Sequence, residues 1–418
     1  MIGAEDAIAR IRAASSALPA ERVALADARG RVLAEDVVAA MPLPPFDNSA
    51  MDGFALRANG NAIAVGSEFV VDGEQAAGDA AREARGEACE IMTGARMPDG
   101  YDRVVPVEEI VVLERDDAQR PTRIRVTAEA RPGQHLRRAG EDIAAGAAAL
   151  RAGHVLDPFA CMLLDALGIV DVLVRRRPRV AVFATGRELV ADPRRELASG
   201  EIRDSNGPYL EAKLREAGAE VVRRATLPDD ADTFVAAVRD ALAAGVDAVI
   251  STGAVSMGRY DFVPEALAML GAETVFHKLR MRPGKPQLFA ILPQGALFFG
   301  LPGNPISTAV GERLFVETAL RRMLGMPDET RWRLPLAEDA RKKPGFAFVQ
   351  KAALRLHADG GVRVQPLRGQ ESFRIAPLRE ANVWMLLPED GEQVSAGTMV
   401  EVLPPSHMQA TLLGSNEA

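Results

Sequence analysis

The middle of the chain constrains the fold most, because short apolar runs alternate there with amphipathic helical patterns. Buried strands are expected at residues 180–184, 221–225 and 247–251, with a helix between each pair. Strands that alternate with helices of this length pair in parallel through right-handed crossovers, and ligands bind at the carboxyl ends of such strands. The sequence therefore predicts a parallel α/β domain with its functional site at one edge of the sheet.

The regions on both sides of this domain carry strand patterns instead. Residues 62–143 contain short apolar runs with a turn signal about every ten residues. Beyond residue 327 the helical pattern ends, and alternating strand-like runs include an Asp359-Gly360 hairpin signal. We predict a β-rich unit before the α/β domain and a small all-β unit after it.

Charge and cysteine content exclude several classes of function. The formal net charge is −8, and such a field disfavours general binding to nucleic acid or to anionic membranes. Cys89 and Cys161 are too few for a disulfide framework and lack the spacing of metal ligands. No run of 18 uncharged apolar residues occurs. We expect a cytoplasmic protein that binds neither nucleic acid nor membrane.

A cationic segment rich in proline and glycine, residues 276–308, is the strongest functional signal. Its basic side chains are Lys278, Arg280, Arg282 and Lys285. The prolines and glycines among them rule out a helix there, and the runs 287–292 and 296–299 predict a hairpin. The GLPGNP sequence at 300–305 then leads into a helix whose open amides favour anions. A basic cluster is usually solvated surface, but conformational locks between its members favour an anion site.

Carboxylates follow three of the predicted strands at the same edge of the sheet. They are Glu188, Asp229 and Asp261. Hard oxygen ligands suit Mg²⁺, and cations opposite a metal suggest pyrophosphate or oxyanion chemistry. An ordinary helix-capping role for Ser256 or Asp261 is the alternative. The loop at 252–258 is neither a Walker A motif nor a dinucleotide fingerprint, so the residues indicate a metal-assisted enzyme for a small phosphorylated anion that stays unidentified.

Two polar clusters mark the N-terminal half. In the segment 44–55, PPFDNSAMDGFA, an Asx-type turn explains some of the polar side chains but hardly all of them, which leaves Asp52 as a functional candidate. The segment 131–142 places three arginines beside two carboxylates, for which an exposed salt-bridge cluster is the ordinary interpretation.

Seven motifs taken together resemble the molybdopterin molybdenumtransferase family, to which the E domain of gephyrin is similar. They are PPFDNSAMDGFA at 44–55, IMTGARMP at 91–98, RRAGEDI at 137–143, IRDSN at 202–206, GAVSMGRYDF at 253–262, KLRMRPGKP at 278–286 and GLPGNP at 300–305. They follow the family's order and cover nearly the whole chain, and FDNSAMDG with PGKP and GLPGNP is specific as a set.

The resemblance implies a multidomain α/β and β fold: a parallel α/β domain, an inserted β-rich domain and a C-terminal small β-barrel. The implied domains are an N-terminal linker and dimerisation domain (1–40 with 144–177), the inserted β-rich domain (41–143), the α/β molybdopterin-binding domain (178–327) and the barrel (328–418). It further implies an elongated homodimer whose active cleft lies between the α/β domain of one subunit and the inserted domain of the other.

The activity implied by the resemblance is insertion of molybdenum from molybdate into adenylylated molybdopterin, with Mg²⁺-dependent cleavage of the pyrophosphate bond and release of AMP. The implied catalytic residues are Asp52, Asp142, Asp229, Asp261, Lys278 and Lys285. The implied substrate-binding residues are Thr93, Arg137, Ser256, Arg282, Pro302, Gly303, Asn304, Pro305, Lys351 and Ser372, and the implied Mg²⁺ ligands are Glu188, Asp229 and Asp261. Transient contact with the molybdopterin adenylyltransferase is also expected.

The sequence departs from the family pattern at four positions. Arg187 replaces an Asp, Ala254 a Gly, Arg282 a Lys and Lys351 an Arg. Exchange of Arg and Lys keeps charge but changes geometry. Because Arg187 puts a base near the expected metal, Asp229 and Asp261 are better ligand candidates than Glu188.

Three readings other than the enzyme stay open at this point. They are a non-catalytic scaffold in the manner of gephyrin's receptor clustering, a divergent paralogue of altered specificity or without turnover, and a nucleotidyl-transferring enzyme that makes the adenylylated intermediate. The full set of carboxylates disfavours the scaffold, and the β-rich and C-terminal units disfavour the nucleotidyltransferase.

Overall fold

A six-stranded sheet lies at the centre of the chain in the computed structural model, which describes residues 1–255 and 262–409. In spatial order its strands are Glu220–Leu227, Arg179–Thr185, Ala248–Thr252, Leu297–Leu301, Leu288–Ile291 and Glu273–His277. The first four are parallel to one another, and the last two are antiparallel to their neighbours. The predicted parallel strands and the hairpin at 287–299 are confirmed, whereas the edge strand Glu273–His277 was not predicted.

Helices cover both faces of this sheet and bury its apolar side chains. They are Ala4–Ala14, Asn206–Glu216, Ala231–Ala243, Val263–Met269, Pro305–Gly311 and Glu317–Met323, with a π-helical turn at Glu312–Val316 between the last two. On one face Ile8 and Leu210 pack near Phe299, and on the other Phe234 contacts Phe183 and Phe298 edge to face. Because the first four strands are parallel, the loops that follow them leave the sheet at the same, carboxyl edge.

A second sheet, in the N-terminal half, orders its strands as Arg103–Pro106, Gly53–Leu56, Ala88–Ile91, Glu68–Gln75, Pro121–Val126 and Ile110–Arg115. Three separate two-stranded pairings also occur in this half of the chain: Asn48–Ser49 with Leu136–Arg137, Val37–Val38 with Ala148–Leu150, and Ala20–Ala24 with Asp171–Arg175. The helix Pro158–Ala166 follows Asp157, whose side chain caps it by accepting a hydrogen bond from the amide of Ala160 at 2.8 Å. Short 3₁₀ turns lie at Leu25–Asp27 and Val107–Glu109.

The C-terminal sheet consists of Trp332–Pro335, Met399–Leu403, Val383–Leu387 and Ala347–Leu356, with Val362–Pro366 and Met281–Arg282 both paired to the last of these. The predicted Asp359-Gly360 hairpin joins Ala347–Leu356 to Val362–Pro366. Small pairs form at Ala340–Arg341 with Gln393–Val394 and at Leu189–Val190 with Ile202–Arg203, and 3₁₀ turns lie at Pro293–Gly295 and Ala376–Arg379. Because Met281–Arg282 belongs to the cationic segment, this sheet holds that segment in place.

In the part of the chain that the structure describes, no helix has the length and apolar character needed to cross a bilayer.

Candidate functional site

The GLPGNP turn is held by side chains from three different elements. The hydroxyl of Thr308 donates to the carbonyl oxygen of Pro302 at 2.6 Å, and the hydroxyl of Thr252 donates to the same oxygen at 3.1 Å. The amide nitrogen of Asn206, from the IRDSN motif, donates to the carbonyl oxygen of Gly303 at 2.7 Å. With Gly303 and Asn304 exposed and Pro302 buried, the turn is a fixed rim that leads into the helix beginning at Pro305.

The loops after neighbouring strands touch at this rim. A Cβ atom on Gly253, whose φ is +98°, would lie 2.3 Å from the carbonyl oxygen of Thr185, so only glycine fits there. A Cβ atom on Gly303 would lie 3.8 Å from the Cα of Gly253. Ala254 has a φ of +50°, in the left-handed region that favours glycine, so the departure from the family's glycine carries backbone strain. The prediction that the loops share one edge is confirmed.

Two of the predicted metal ligands are neighbours. Asp229 accepts a hydrogen bond from the amide of Arg187 at 3.1 Å, and Glu188 folds back so that a Cβ atom on Gly186 would lie 2.8 Å from its Oε1. Both carboxylates are exposed. Asp261 and Ser256 lie outside the described residues. Within 1–255 and 262–409 no group of three or more Asp, Glu, His or Cys side chains could hold a metal ion, so the metal site stays a prediction.

Residues 278–287 of the cationic segment form a turn, called the cationic turn below. It lies against the start of the helix that follows GLPGNP. The amide of Lys278 donates to the carbonyl of Gln287 at 2.8 Å, and the amide of Leu279 donates to the carbonyl of Lys285 at 2.9 Å, which closes the turn. The side chains of Arg282 and Lys285 are exposed and that of Lys278 is half-buried. The guanidinium of Arg282 lies 4.9 Å from the centre of the Phe346 ring, which fixes its direction.

Two residues that the sequence analysis did not single out support this turn. The buried amide of Gln287 donates to the carbonyl of Ser307 at 3.3 Å, and a Cβ atom on Gly311 would lie 2.5 Å from its Nε2. A glycine inside a helix was the signal that could have revealed this close approach. The Nε2 atom of His277 lies 2.8 Å from the carbonyl oxygen of Val255 and joins the cationic segment to residues 253–255. No sequence signal identified His277.

Four further predicted residues are grouped in the N-terminal half. Asp52 accepts a hydrogen bond from the amide of Thr93 at 2.7 Å, and this bond, followed by one from the Thr93 hydroxyl, lowers the pKa of Asp52. Arg137 pairs with Asn48 across a two-stranded ladder, and the amide of Asp142 donates to Leu43. Thr93, Arg137 and Asp142 thus contact the 43–52 segment, to which Asp52 belongs.

No hydrogen bond or ion pair within residues 1–255 and 262–409 joins this group to Lys285 or to the Glu188 and Asp229 carboxylates. The joining of the two groups into one reaction site is therefore still a prediction.

Lys351 does not line the site as expected, and its environment is the reason. Its side chain is fully buried, and its ammonium donates to the carbonyls of Gly369 at 2.6 Å, Arg374 at 3.1 Å and Glu371 at 3.5 Å. Burial lowers the pKa of Lys351, and Glu371 opposes the shift. Because its donors are occupied by the protein, Lys351 holds the 369–374 loop rather than contacting a ligand.

Ser372, in the same loop, contacts the helix after GLPGNP through its backbone, and its part in substrate binding stays a prediction. Its carbonyl oxygen accepts a hydrogen bond from the amide of Ile306 at 3.0 Å, in the first turn of the helix after GLPGNP. The C-terminal loop and the GLPGNP turn are thus in direct contact.

Comparison with known proteins covers almost the whole chain. Residues 2–168 match the MoeA N-terminal region (domain I and II), residues 181–322 a probable molybdopterin binding domain, and residues 333–404 the MoeA C-terminal region (domain IV). A molybdopterin molybdenumtransferase of Synechococcus elongatus is 40% identical over 392 residues, which are 92% of this chain and 94% of that protein. One from Staphylococcus aureus strain MSSA476 is 34% identical over 409 residues, 96% of this chain and 95% of that protein.

The solved structures that this chain resembles include the molybdopterin biosynthesis MoeA protein from Pyrococcus horikoshii OT3. The TM-score is 0.78 at 29% sequence identity, and the match covers 96% of this chain and 99% of that one.

Proposed function

Because the chain belongs to the molybdopterin molybdenumtransferase family, and is thus a transferase of molybdenum cofactor biosynthesis, we propose how its residues divide that work. Its substrates are molybdate and adenylylated molybdopterin, and cleavage of the pyrophosphate bond with release of AMP accompanies molybdenum insertion. The observation that carries the proposal is the contact of the cationic turn, the anchored GLPGNP turn and the Ser372 loop at the start of one helix.

In this proposal the cationic turn neutralises the substrates. Lys278, Arg282 and Lys285 face molybdate and the pyrophosphate, where positioned positive charge stabilises the charge that develops as the bond breaks. The rim of Pro302, Gly303, Asn304 and Pro305 presents the helix start to an anion, and Ser372 completes that side. Thr93, Arg137 and Ser256 contact the substrate, and Asp52 and Asp142 act with Asp229 and Asp261 as the catalytic carboxylates. Lys351 contributes through the loop that it holds.

Magnesium is assigned to Asp229 and Asp261, and Glu188 is the third proposed ligand. The fit is supported by the donor set: Asp229 uses one carboxylate oxygen for the amide of Arg187 and keeps the other, and Mg²⁺ commonly takes only one or two carboxylates together with water and phosphate oxygens. When bound, the ion would withdraw charge from the pyrophosphate. Asp229 is held by a backbone bond in any case, so its carboxylate is positioned before the ion arrives.

A homodimer with the active site shared between subunits is the proposed assembly. Support comes from large apolar side chains left in contact with solvent near the helix Pro158–Ala166: Phe159 is 76% exposed, Met162 65% and Val170 78%. Phe159 and Met162 are three residues apart on the helix and share a face, which fits burial against a second subunit. The second subunit would bring Asp52 and Asp142 to the cationic turn of the first.

The division into domains at 1–40 with 144–177, 41–143, 178–327 and 328–418 is proposed as well. Closure of the last into a small barrel is supported by a bridge between Leu336 and Val364, which brings the first strand of the C-terminal sheet beside Val362–Pro366. A cytoplasmic location is proposed from the two free cysteines, and brief contact with the adenylyltransferase from the need to receive an adenylylated substrate.

The test is AMP release by the purified protein supplied with adenylylated molybdopterin, Mg²⁺ and molybdate. We expect Asp261→Ala to abolish Mg²⁺-dependent turnover while the fold is kept. The matched control is Asp117→Ala, an exposed carboxylate far along the chain in the N-terminal sheet region. Absence of AMP release from the wild type would leave the scaffold, and ATP consumption would point to the nucleotidyltransferase instead.

A further inference from the structure

The side chain of His277 connects two strands of the central sheet at the edge that carries the candidate site. Its Nε2 atom lies 2.8 Å from the carbonyl oxygen of Val255. A carbonyl oxygen only accepts, so the ring nitrogen carries the proton and donates. Among residues 1–255 and 262–409 no other group donates a hydrogen bond to this oxygen, and Val255 is buried. The imidazole therefore holds the segment that follows the strand Ala248–Thr252 against the end of the strand Glu273–His277.

A glycine in the sheet leaves room for this contact. His277, Leu288 and Gly300 lie side by side on three neighbouring strands. A Cβ atom on Gly300 would lie 2.8 Å from the Cγ1 atom of Val255, so the Val255 side chain occupies the space that a side chain at position 300 would fill. The missing side chain therefore lets Val255 lie close to the sheet, where its carbonyl oxygen is within reach of His277.

The residue that follows His277 has a strained backbone. Lys278 has a φ of +73°, in the left-handed region that favours glycine. Such a conformation persists only where the surrounding structure fixes it, and strained residues are common at functional sites. After Lys278 the chain is fixed by the bond from its own amide to the carbonyl of Gln287 at 2.8 Å. Before it, His277 is fixed by its pairing with Leu288 and by its side-chain bond to Val255.

We propose that His277 is a positioning residue of the transferase, whose hydrogen bond to Val255 keeps the backbone of Lys278 in place and so fixes the Lys278 ammonium for the anionic substrate. The inference rests on the proposed function, in which Lys278 faces molybdate and the pyrophosphate. The role of His277 is indirect, because its donor is used by the protein backbone. Charge stabilisation depends on donors that are fixed before the reaction, so a small displacement of Lys278 lowers the rate.

Steady-state AMP release by the full-length protein tests this role. His277→Phe keeps an aromatic ring and removes the donor, and we expect kcat to fall about tenfold or more. The KM should rise less than kcat falls, because the charge that Lys278 meets develops as the bond breaks. His277→Gln keeps an N–H donor and should recover most of kcat. The matched control is His154→Phe, at an exposed histidine of the N-terminal half, which should turn over as the wild type does. A wild-type kcat in His277→Phe, or equal losses in the Phe and Gln variants, would overturn the proposal.

A double-mutant cycle with Lys278→Met tests whether His277 acts through Lys278. When the positioned ammonium is already gone, His277→Phe should lower the remaining kcat by less than about twofold. A loss as large as in the wild-type background would mean that His277 acts on turnover by another route, and the proposal would then be wrong.

The rate at which acetic anhydride acetylates Lys278, measured by mass spectrometry, gives a readout that needs no turnover. The side chain of Lys278 is half-buried, so release of its backbone in His277→Phe should raise this rate. Lys343, an exposed lysine of the C-terminal region, should react at the same rate in both proteins. An unchanged rate at Lys278 would overturn the proposal. A wild type that releases no AMP would refute the proposed function, and the acetylation rates would still decide whether His277 positions Lys278.

Discussion

The ammonium nitrogen of Lys351 lies 2.6 Å from the carbonyl oxygen of Gly369, inside the C-terminal sheet. A lysine is rarely fully buried unless its charge is satisfied, and here three carbonyls of one loop satisfy it. Lys351, which the sequence suggested as a substrate contact, therefore stabilises the loop that carries Ser372 and Phe373 by hydrogen bonds to its carbonyl groups.

Lys351→Met should release this loop. Leaving a buried carbonyl without its donor costs about 1–3 kcal/mol, so the melting temperature should fall. The KM for adenylylated molybdopterin should rise more than kcat falls, because the loop positions the substrate but carries none of the reacting groups. Lys351→Arg keeps charge and several donors and should recover part of the KM. An unchanged KM in the Met variant would restrict Lys351 to a purely structural role.

Thr308→Val removes the hydroxyl that anchors the GLPGNP turn. The bond to Pro302 at 2.6 Å is buried, and its loss should destabilise the protein by about 1 kcal/mol, measured by urea unfolding. The turn should also shift, so the affinity for substrate should decrease. Thr308→Ser keeps the hydroxyl and is the matched control. Val and Ser variants with the same affinity would show that the remaining bond from Thr252 fixes the turn by itself.

Ala254→Gly should stabilise the protein. A non-glycine residue at a φ of +50° carries a cost of about 1–2 kcal/mol, and glycine removes most of it at this position. The melting temperature should therefore rise. Ala198→Gly is the comparison, since Ala198 is an exposed turn residue outside the left-handed region and should gain nothing. A lower melting temperature for Ala254→Gly would mean that its methyl group has contacts worth more than the strain.

Asp52→Asn tests whether turnover requires the negative charge of Asp52 or only the hydrogen bond that positions its loop. Asparagine keeps an oxygen that can accept the amide of Thr93, so the loop should stay in place, as near-ultraviolet circular dichroism can verify. Turnover should fall at every pH if the charge is required. In the wild type the lowered pKa keeps the carboxylate ionised below the ordinary range, so Asp52 should cause no loss of activity between pH 7 and pH 5. Full activity of the Asn variant would remove Asp52 from the catalytic set.

The sequence predicted the parts of the fold that local patterns determine. The parallel strands around Val182 and Ile250 and the hairpin at 287–299 follow from apolar periodicity and turn residues, and all are confirmed. The strand Asp171–Arg175 was not predicted, because it pairs with Ala20–Ala24, far away in the chain. Pairings between distant segments leave little local signal.

The sequence likewise predicted some features of the candidate site and not others. The loops at the sheet edge could be placed because parallel strands end together, whereas the backbone contact of Ser372 with the helix start was not predicted. The burial of Lys351 could not be predicted, since nothing in its neighbours distinguishes a buried from an exposed lysine. Gln287 and His277 were missed for a related reason: each acts on a backbone carbonyl whose position only the folded chain defines.

A buried cluster of ionisable groups predicts how stability depends on pH. It surrounds the π-helical turn Glu312–Val316 and contains Tyr209, Lys213, Glu312, Arg313, Glu317, Arg321, Glu329 and His407. Burial raises the pKa of Glu317 to about 7, although Arg313 lies 3.3 Å away and opposes the shift. Burial and the nearby Arg313 and Arg321 lower the pKa of His407 to about 3.

The pKa shifts of Glu317 and His407 have opposite effects on how the free energy of unfolding depends on pH. An acid whose pKa is raised on folding stabilises fully below its unfolded value, near 4.5, and this contribution is lost as the pH rises through 7. A histidine whose pKa is lowered stabilises fully above 6.5, and its contribution is lost as the pH falls towards 3.

Glu317→Gln tests the contribution of the Glu317 carboxyl to the pH dependence of stability. At pH 5 the wild-type carboxyl is protonated in the folded state and resembles the amide, so the two proteins should melt at similar temperatures. At pH 8 only the wild type carries the cost of a buried charge, so the variant should melt at the higher temperature. Glu220→Gln, at an exposed position, should show no such difference between the two pH values. An equal effect of Glu317→Gln at pH 5 and pH 8 would mean that Arg313 keeps Glu317 ionised throughout, since a group that does not titrate in the folded state contributes no change over this range.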